Sequence, residues 1–243
     1  MSARHAEFLE TMKRFFEGDL DAAGVESRLG KSASGTARLA LYGALVRRQR
    51  VGLLDHFFRA ARVAAETHAR GTWADLLAEY LRSHRPDHWE PNRFAAPMVA
   101  FLEQRAADGG LPSFVFELAD YAWIRYAASL APHGDVVTLG ADVVVREYDH
   151  DVATYARDVE AAGAPPRDVP ERATTILLVC RSRVSGKLET IRPSVAALLA
   201  LGEHTTRIAT RALPPGITAD DVEAESRALV TLGVLPGTVL AAT

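Results

Sequence analysis

Residues 172–235, RATTILLVCRSRVSGKLETIRPSVAALLALGEHTTRIATRALPPGITADDVEAESRALVTLGVL, decide the fold. ATTILLVCRSR is an apolar run rich in β-branched residues and reads as a strand. V-S-G-K at Val184–Lys187 is a tight turn, and LETIR at Leu188–Arg192 alternates as a return strand. PSVAALLALG is a short helix with Pro193 near its first turn and Gly202 at its end. HTTRIATRALPPG and ITADDVEAESRALVTLGVL read as two more helices. Strand, turn, strand and helices outline a small winged-helix-like α+β module, a shape suited to gripping DNA or a peptide.

Upstream, residues 1–131 read as an all-helical bundle. His5–Phe16 sets Phe8, Leu9, Met12, Phe15 and Phe16 on one face. The segment 18–36 is rich in Gly, Asp and Ser and reads as a loop with one short turn. From Thr36 a long amphipathic pattern runs through Leu39, Tyr42, Leu45, Val46, Leu53, Leu54, Phe57 and Phe58. Trp73–Ser83 is a further helix, His84–Pro91 a proline-containing loop, and Phe94–Ala107 and Pro112–Leu130 complete about five helices. Residues 132–171 form a transition whose one strand is Asp142–Tyr148, followed by a proline-rich loop at Gly163–Pro170. A two-stranded hairpin is marginal by itself, so Val143–Tyr148 is expected to be the third strand of the C-terminal sheet. The expected domains are therefore 1–131, the transition 132–171, and 172–243.

The chain has 243 residues, of which 48% are hydrophobic and 24% charged, enough for one large core or two modest ones. Net charge is −3, split as +1 over residues 1–133 and −4 over 134–243. The winged-helix-like half is thus the acidic half, whereas a DNA-binding module needs a basic face that releases counterions from phosphate. One cysteine excludes an internal disulfide and a Cys-rich zinc site. Cys180 lies inside the apolar strand and reads as a buried structural thiol. The N-terminus carries acids and no long apolar core, unlike a signal peptide, and no window reaches the ~18 apolar residues of a membrane span. The expectation is a cytoplasmic protein.

Few residues suggest chemistry. His84, His88 and Glu90 could in principle hold a metal, but the intervening proline breaks helical spacing and a solvated loop is the simpler reading. Asp149-His150-Asp151 has the residue types of an acid–base or metal site, and reads better as a helix cap with acids in the first turn. Arg47-Arg48-Gln49-Arg50 spreads around a helix as a solvated basic face. Ser185-Gly186-Lys187 lacks the glycine spacing of a phosphate loop. Trp73, Trp89 and Trp123 read as core or loop anchors. No nucleophile motif, metalloprotease motif or dinucleotide fingerprint is present.

In their order along the chain, Arg38-Leu39-x-x-Tyr42, LAEYLRSHRP at Leu77–Pro86, Phe101-Leu102, FELADYAW at Phe116–Trp123, ILLVCR at Ile176–Arg181 and PSVAALLALG resemble a known family. It is the HvfC/BufC type, often described as a DNA-binding-domain family. The resemblance spans nearly the whole chain and rests on packing patterns. It departs where AARVAAETHARGTW lacks an aromatic-Pro step and a Gly step, and where Ala122 stands in place of a Glu before the Trp. The family's members bind TIM-barrel multinuclear non-haem iron oxidases that modify ribosomally made peptides, as in methanobactin-type biosynthesis. The C-terminal module also resembles the leader-peptide recognition element of such systems.

These resemblances imply a non-catalytic partner subunit with no cofactor of its own, the iron residing in the partner enzyme. It would form a heterodimer with the oxidase and recruit a precursor peptide by strand addition. The candidate peptide contacts are Leu188, Glu189, Thr190, Ile191 and Arg192 on the edge strand. Val222, Glu225 and Leu229 on helix Asp220–Leu232 are expected to complete the groove, with Val222 and Leu229 as its floor. The acidic module suits a basic leader segment. The alternative is a winged-helix DNA-binding transcriptional regulator, which the charge distribution disfavours. A stand-alone enzyme lacks a convincing constellation, and no membrane partner is expected.

Overall fold

The computed structural model describes residues 3–69, 71–84, 91–131, 137–140, 142–161, 168–206 and 213–236. It is an α+β protein, mostly helical, with one three-stranded antiparallel sheet among the described residues. The chain forms two compact units, Met1–Val115 and Phe116–Thr243.

The first unit holds α1 (Ala3–Glu17), α2 (Ala22–Leu29), α3 (Thr36–Phe57), α4 (Arg59–His68), α5 (Trp73–Ser83), a 3₁₀ turn at Pro91–Ala95 and α6 (Ala96–Ala107). Three details differ from the sequence reading. Segment 18–36 contains a two-turn helix, α2, started by Asp21, whose carboxylate accepts from the Gly24 N–H at 2.7 Å. Ala22 and Val25 bury against Phe15, which supplies the tertiary support a short helix needs. The long amphipathic stretch ends at Phe57 as read, but a further helix, α4, follows directly after Phe58, whose backbone leaves helical values (φ −105°, ψ 34°) while its side chain is fully buried. The helices before residue 131 therefore number seven among the described residues rather than about five. Helix α5 begins where expected because Thr72 and Asp75 form a reciprocal capping box.

Helix α7 (Ser113–Leu130) starts in the first unit and gives most of its length to the second, so the compact units part at residue 115 rather than 131. From Phe116 onward its polar side chains serve the sheet, as described below. The second unit continues with β1 (Val143–Tyr148), α8 (Val152–Ala161), β2 (Thr175–Arg181), β3 (Leu188–Ile191), α9 (Val195–Thr206) and α10 (Ala219–Thr231). The strand order is β1-β2-β3, with Val143 opposite Cys180 and Leu178 opposite Ile191. Val143–Tyr148 is thus the third strand of this sheet, as expected.

The transition segment holds a helix as well as a strand. Helix α8 buries Val152, Tyr155, Ala156 and Val159, an i, i+3, i+4, i+7 stripe of helical periodicity. Asp151 caps it by accepting from the Thr154 N–H at 3.2 Å, which fits the cap reading of Asp149–Asp151. Helix α9 runs through Gly202 to Thr206 instead of ending there. Burial of Ala200 and Leu201 outweighs a glycine cost of about 1 kcal/mol. Ser194 starts it, accepting from the Ala197 N–H at 3.0 Å. Of the helix expected in HTTRIATRALPPG, 204–206 belong to α9, 207–212 lie outside the described residues, and 213–216 are loop and turn rather than helix. The loop expected at His84–Pro91 and the proline-rich loop at Gly163–Pro170 likewise lie mostly outside them.

Alternation divides the sheet into two faces. Val143, Val145, Leu178, Cys180 and Ile191 face one way and pack with Ala197, Leu201, Val222 and Leu229 of α9 and α10. The other face, with Val144, Tyr148, Leu177, Val179 and Thr190, carries α7 and α8.

Candidate functional site

The hairpin that carries β3 is tightly held. The Ser182 N–H donates to the Lys187 carbonyl (2.7 Å), and the buried Ser182 hydroxyl oxygen accepts from the Val184 and Ser185 N–H groups (3.2 and 3.0 Å). Arg183 N–H donates to the Gly233 carbonyl at 2.8 Å, tying the turn to the end of α10. Gly186 takes the positive φ (68°) that lets so short a connection close. Ser185-Gly186-Lys187 is therefore a hairpin turn.

This bond fixes the orientation of the edge. In an antiparallel ladder, hydrogen-bonded and non-hydrogen-bonded pairs alternate. Counting from the Ser182–Lys187 pair along the register, Glu189 and Ile191 turn their backbone groups towards β2. Leu188 and Thr190 turn theirs away from it. Strand β3 ends the sheet order, so those N–H and C=O groups lie on an edge with no further strand among the described residues.

Beside that edge lies a groove of about 510 Å³. Leu188, Thr190 and Arg192 form one wall, helix α8 contributes Thr154, Arg157 and Glu160, and α7 contributes Tyr121 and Arg125. Tyr121 donates to the Thr190 hydroxyl at 3.3 Å. Arg125 donates to Glu160 at 3.2 Å and sits 5.5 Å from the centroid of the Tyr121 ring, a cation–π distance. Arg192 pairs with Asp151 at 2.6 Å and reaches Thr154 at 3.3 Å, joining the end of β3 to the start of α8. Burial pushes the Asp151 carboxyl up, but bonds from Arg192 and Thr154 outweigh it and hold its pKa below the usual carboxylate value.

The expected peptide-contact residues separate in space. Leu188, Thr190 and Arg192 line the groove; Glu189 and Ile191 face the other way, and Ile191 packs on the core. Val222 and Leu229 are buried beneath the opposite face, at 5% and 2% exposure, and cannot floor this groove. Their helical spacing is that of a core stripe, and sequence periodicity does not say which sheet face a helix covers. Glu225 accepts from the Ser194 hydroxyl at 2.8 Å and so braces the start of α9. The groove-forming residues that sequence reasoning missed, Tyr121, Arg125, Thr154, Arg157 and Glu160, come from α7 and from α8, of which it read only the cap.

Under the same sheet face lies a buried polar cluster. Glu117 of α7 and His150 are 4% and 8% exposed, with Nδ1 3.1 Å from the carboxylate, and Glu117 also accepts from the His150 backbone N–H at 3.2 Å. Asp120 accepts from the Tyr148 hydroxyl at 2.8 Å and lies 3.4 Å from Arg146. Burial, then the nearby Asp120 carboxylate, raise the Tyr148 pKa well above its ordinary value, so the phenol remains a donor. These contacts anchor α7 to the sheet. Cys180 is 1% exposed, and burial pushes its thiol up to about 11, which leaves it unreactive as a nucleophile at neutral pH.

The remaining sequence candidates have local explanations. His84 stacks on Tyr80 at 4.5 Å and lies 2.9 Å from the Ser83 hydroxyl, while His88 and Glu90 are outside the described residues. Arg50 donates to the Phe16 carbonyl at 3.0 Å. Trp73 is buried and donates to Asp55 at 2.7 Å, Trp123 packs on Tyr126, and Trp89 is outside the described residues. Among the described residues no three His, Cys, Asp or Glu side chains converge as a metal-holding group, and no helix is long and apolar enough to cross a membrane.

No model of a known protein family matches the chain. No curated protein matches it either.

Proposed function

We propose that this chain is a non-catalytic partner subunit that recruits a ribosomally made precursor peptide for a multinuclear iron-dependent oxidase. The observation that carries the peptide half is the edge of β3: outward backbone groups at Leu188 and Thr190 beside an open groove. Backbone hydrogen bonds from such an edge supply affinity to an extended chain, and the groove supplies a pocket for alternate side chains. The oxidase half rests on the resemblance in the order of packing motifs along the chain. The cytoplasm is the compartment this reading expects. The DNA-binding reading is weaker, because residues 116–243 carry a net charge of −5 and offer little counterion release.

The test pairs two titrations of Thr190→Pro, using an iron oxidase and short precursor peptide encoded beside this chain's gene. The Thr190 N–H points away from β2, so proline removes an outward donor without removing a ladder bond. After circular dichroism shows that the variant folds, peptide affinity should fall about tenfold while oxidase affinity stays within about twofold. Unchanged peptide affinity in the folded variant moves the docking site off β3. Failure of the wild-type chain to bind the oxidase removes the partner-subunit reading.

A further inference from the structure

The groove beside β3 is richer in donors and positive charge than the acidic unit that contains it. Its lining holds three guanidinium groups, Arg125, Arg157 and Arg192, against one carboxylate, Glu160. Glu160 is already engaged by Arg125, at 3.2 Å. Asp151 takes one nitrogen of Arg192, which remains 57% exposed. Arg157 lies 3.6 Å from its neighbour Asp158 and is 71% exposed. The Nε–H of Arg125 is buried without a hydrogen-bond partner among the described residues, an unmet donor in the lining. The opposite side of the same strand presents Glu189. The two faces of the edge thus differ in sign.

We propose that this groove selects an extended peptide with Asp or Glu side chains on its groove-facing side, at alternate positions. The proposal rests on the strand-addition reading and adds the substrate chemistry to it. A strand added to β3 presents every second side chain to the Leu188–Thr190–Arg192 face. A carboxylate there meets Arg157 and the outer nitrogens of Arg192, whose planar donor forks match its two oxygens. A lysine at that position meets like charge. The local lining therefore reverses the preference for a basic segment that net charge alone suggests.

The test is selection of a displayed library of random heptapeptides on the full wild-type chain, with Thr190→Pro and Arg157→Glu in parallel. Arg157 is exposed on α8, so charge reversal there leaves the core intact. On wild type, Asp and Glu should be enriched over Lys and Arg at i, i+2 positions by at least about threefold. The enrichment should vanish on Arg157→Glu, and recovery of these peptides should drop on Thr190→Pro. Selected peptides that are neutral or basic at those positions, or an acidic preference that survives Arg157→Glu, overturn the charge proposal and leave strand addition standing. Recovery of no peptide above background, or equal recovery on Thr190→Pro, overturns strand addition and the proposal with it.

Discussion

Glu117 does more for the second unit than its place in a helical run suggests. It sits four residues into α7, almost fully buried, and binds both the ring and the backbone N–H of His150. Those bonds hold α7 against the turn between β1 and α8, and α7 and α8 both line the groove. A buried carboxylate that loses its partner, or a partner that loses its carboxylate, costs far more than an exposed pair. Glu117→Ala should therefore lower the unfolding free energy by about 2–4 kcal/mol, read from urea titrations followed by circular dichroism. Glu79→Ala removes an exposed pair with Arg105 (2.7 Å) and serves as the control, expected to cost under about 1 kcal/mol. Equal losses in the two variants would show that burial gives the Glu117–His150 contact no special weight.

Among the elements, the β2–β3 hairpin depends most on one residue outside itself. Gly233, just past α10, has φ 74°, and a Cβ there would come within 2.6 Å of both Ser182 Oγ and Val184 N. The turn's backbone can approach the end of α10 because no side chain intervenes, and the Arg183 N–H···O=C Gly233 bond forms in that space. Gly233→Ala should cost more than about 1–2 kcal/mol, since both the φ and the contact oppose it. It should also loosen the β3 edge, seen as faster amide exchange at Glu189 and Ile191, whose N–H groups face β2. Gly52→Ala, on α3 with open space around its Cβ position, should be neutral or slightly stabilising. Protection of β3 unchanged in a folded Gly233→Ala variant would show that α10 does not hold the edge.

At the scale of the molecule, charge follows the division into units. Residues 1–115 carry a net +2 and residues 116–243 a net −5. The sheet-bearing unit repels phosphate as a whole while holding one cationic groove. Long-range attraction to duplex DNA scales with the number of phosphates neutralised, and three arginines in one groove neutralise few. Anisotropy titration with a labelled random 20-base-pair duplex should give a Kd weaker than about 10 μM at ~0.15 M salt. A submicromolar value would favour the transcriptional-regulator reading over the peptide-recruiting one.

Much of this architecture was legible in the chain by itself. β-branched runs and a glycine turn marked β2 and β3, and the poor stability of a lone hairpin called for β1 as a third strand. Cys180 read as a buried thiol because it interrupts nothing in an apolar run. Helix α8 was signalled only by the cap at Asp149–Asp151; its brevity hid its extent, although its four buried residues keep helical spacing. What no local pattern contained was the assignment of helices to sheet faces. Val222 and Leu229 have the spacing of a stripe that buries somewhere. Only packing decided that they seal the core under Ile191, while α7 and α8 flank Thr190 on the other face. The groove's charge has the same origin. Arg125, Arg157 and Arg192 are up to 67 positions apart in sequence. They converge because α7 and α8 cover the same sheet face, an arrangement set by burial of non-local apolar surface.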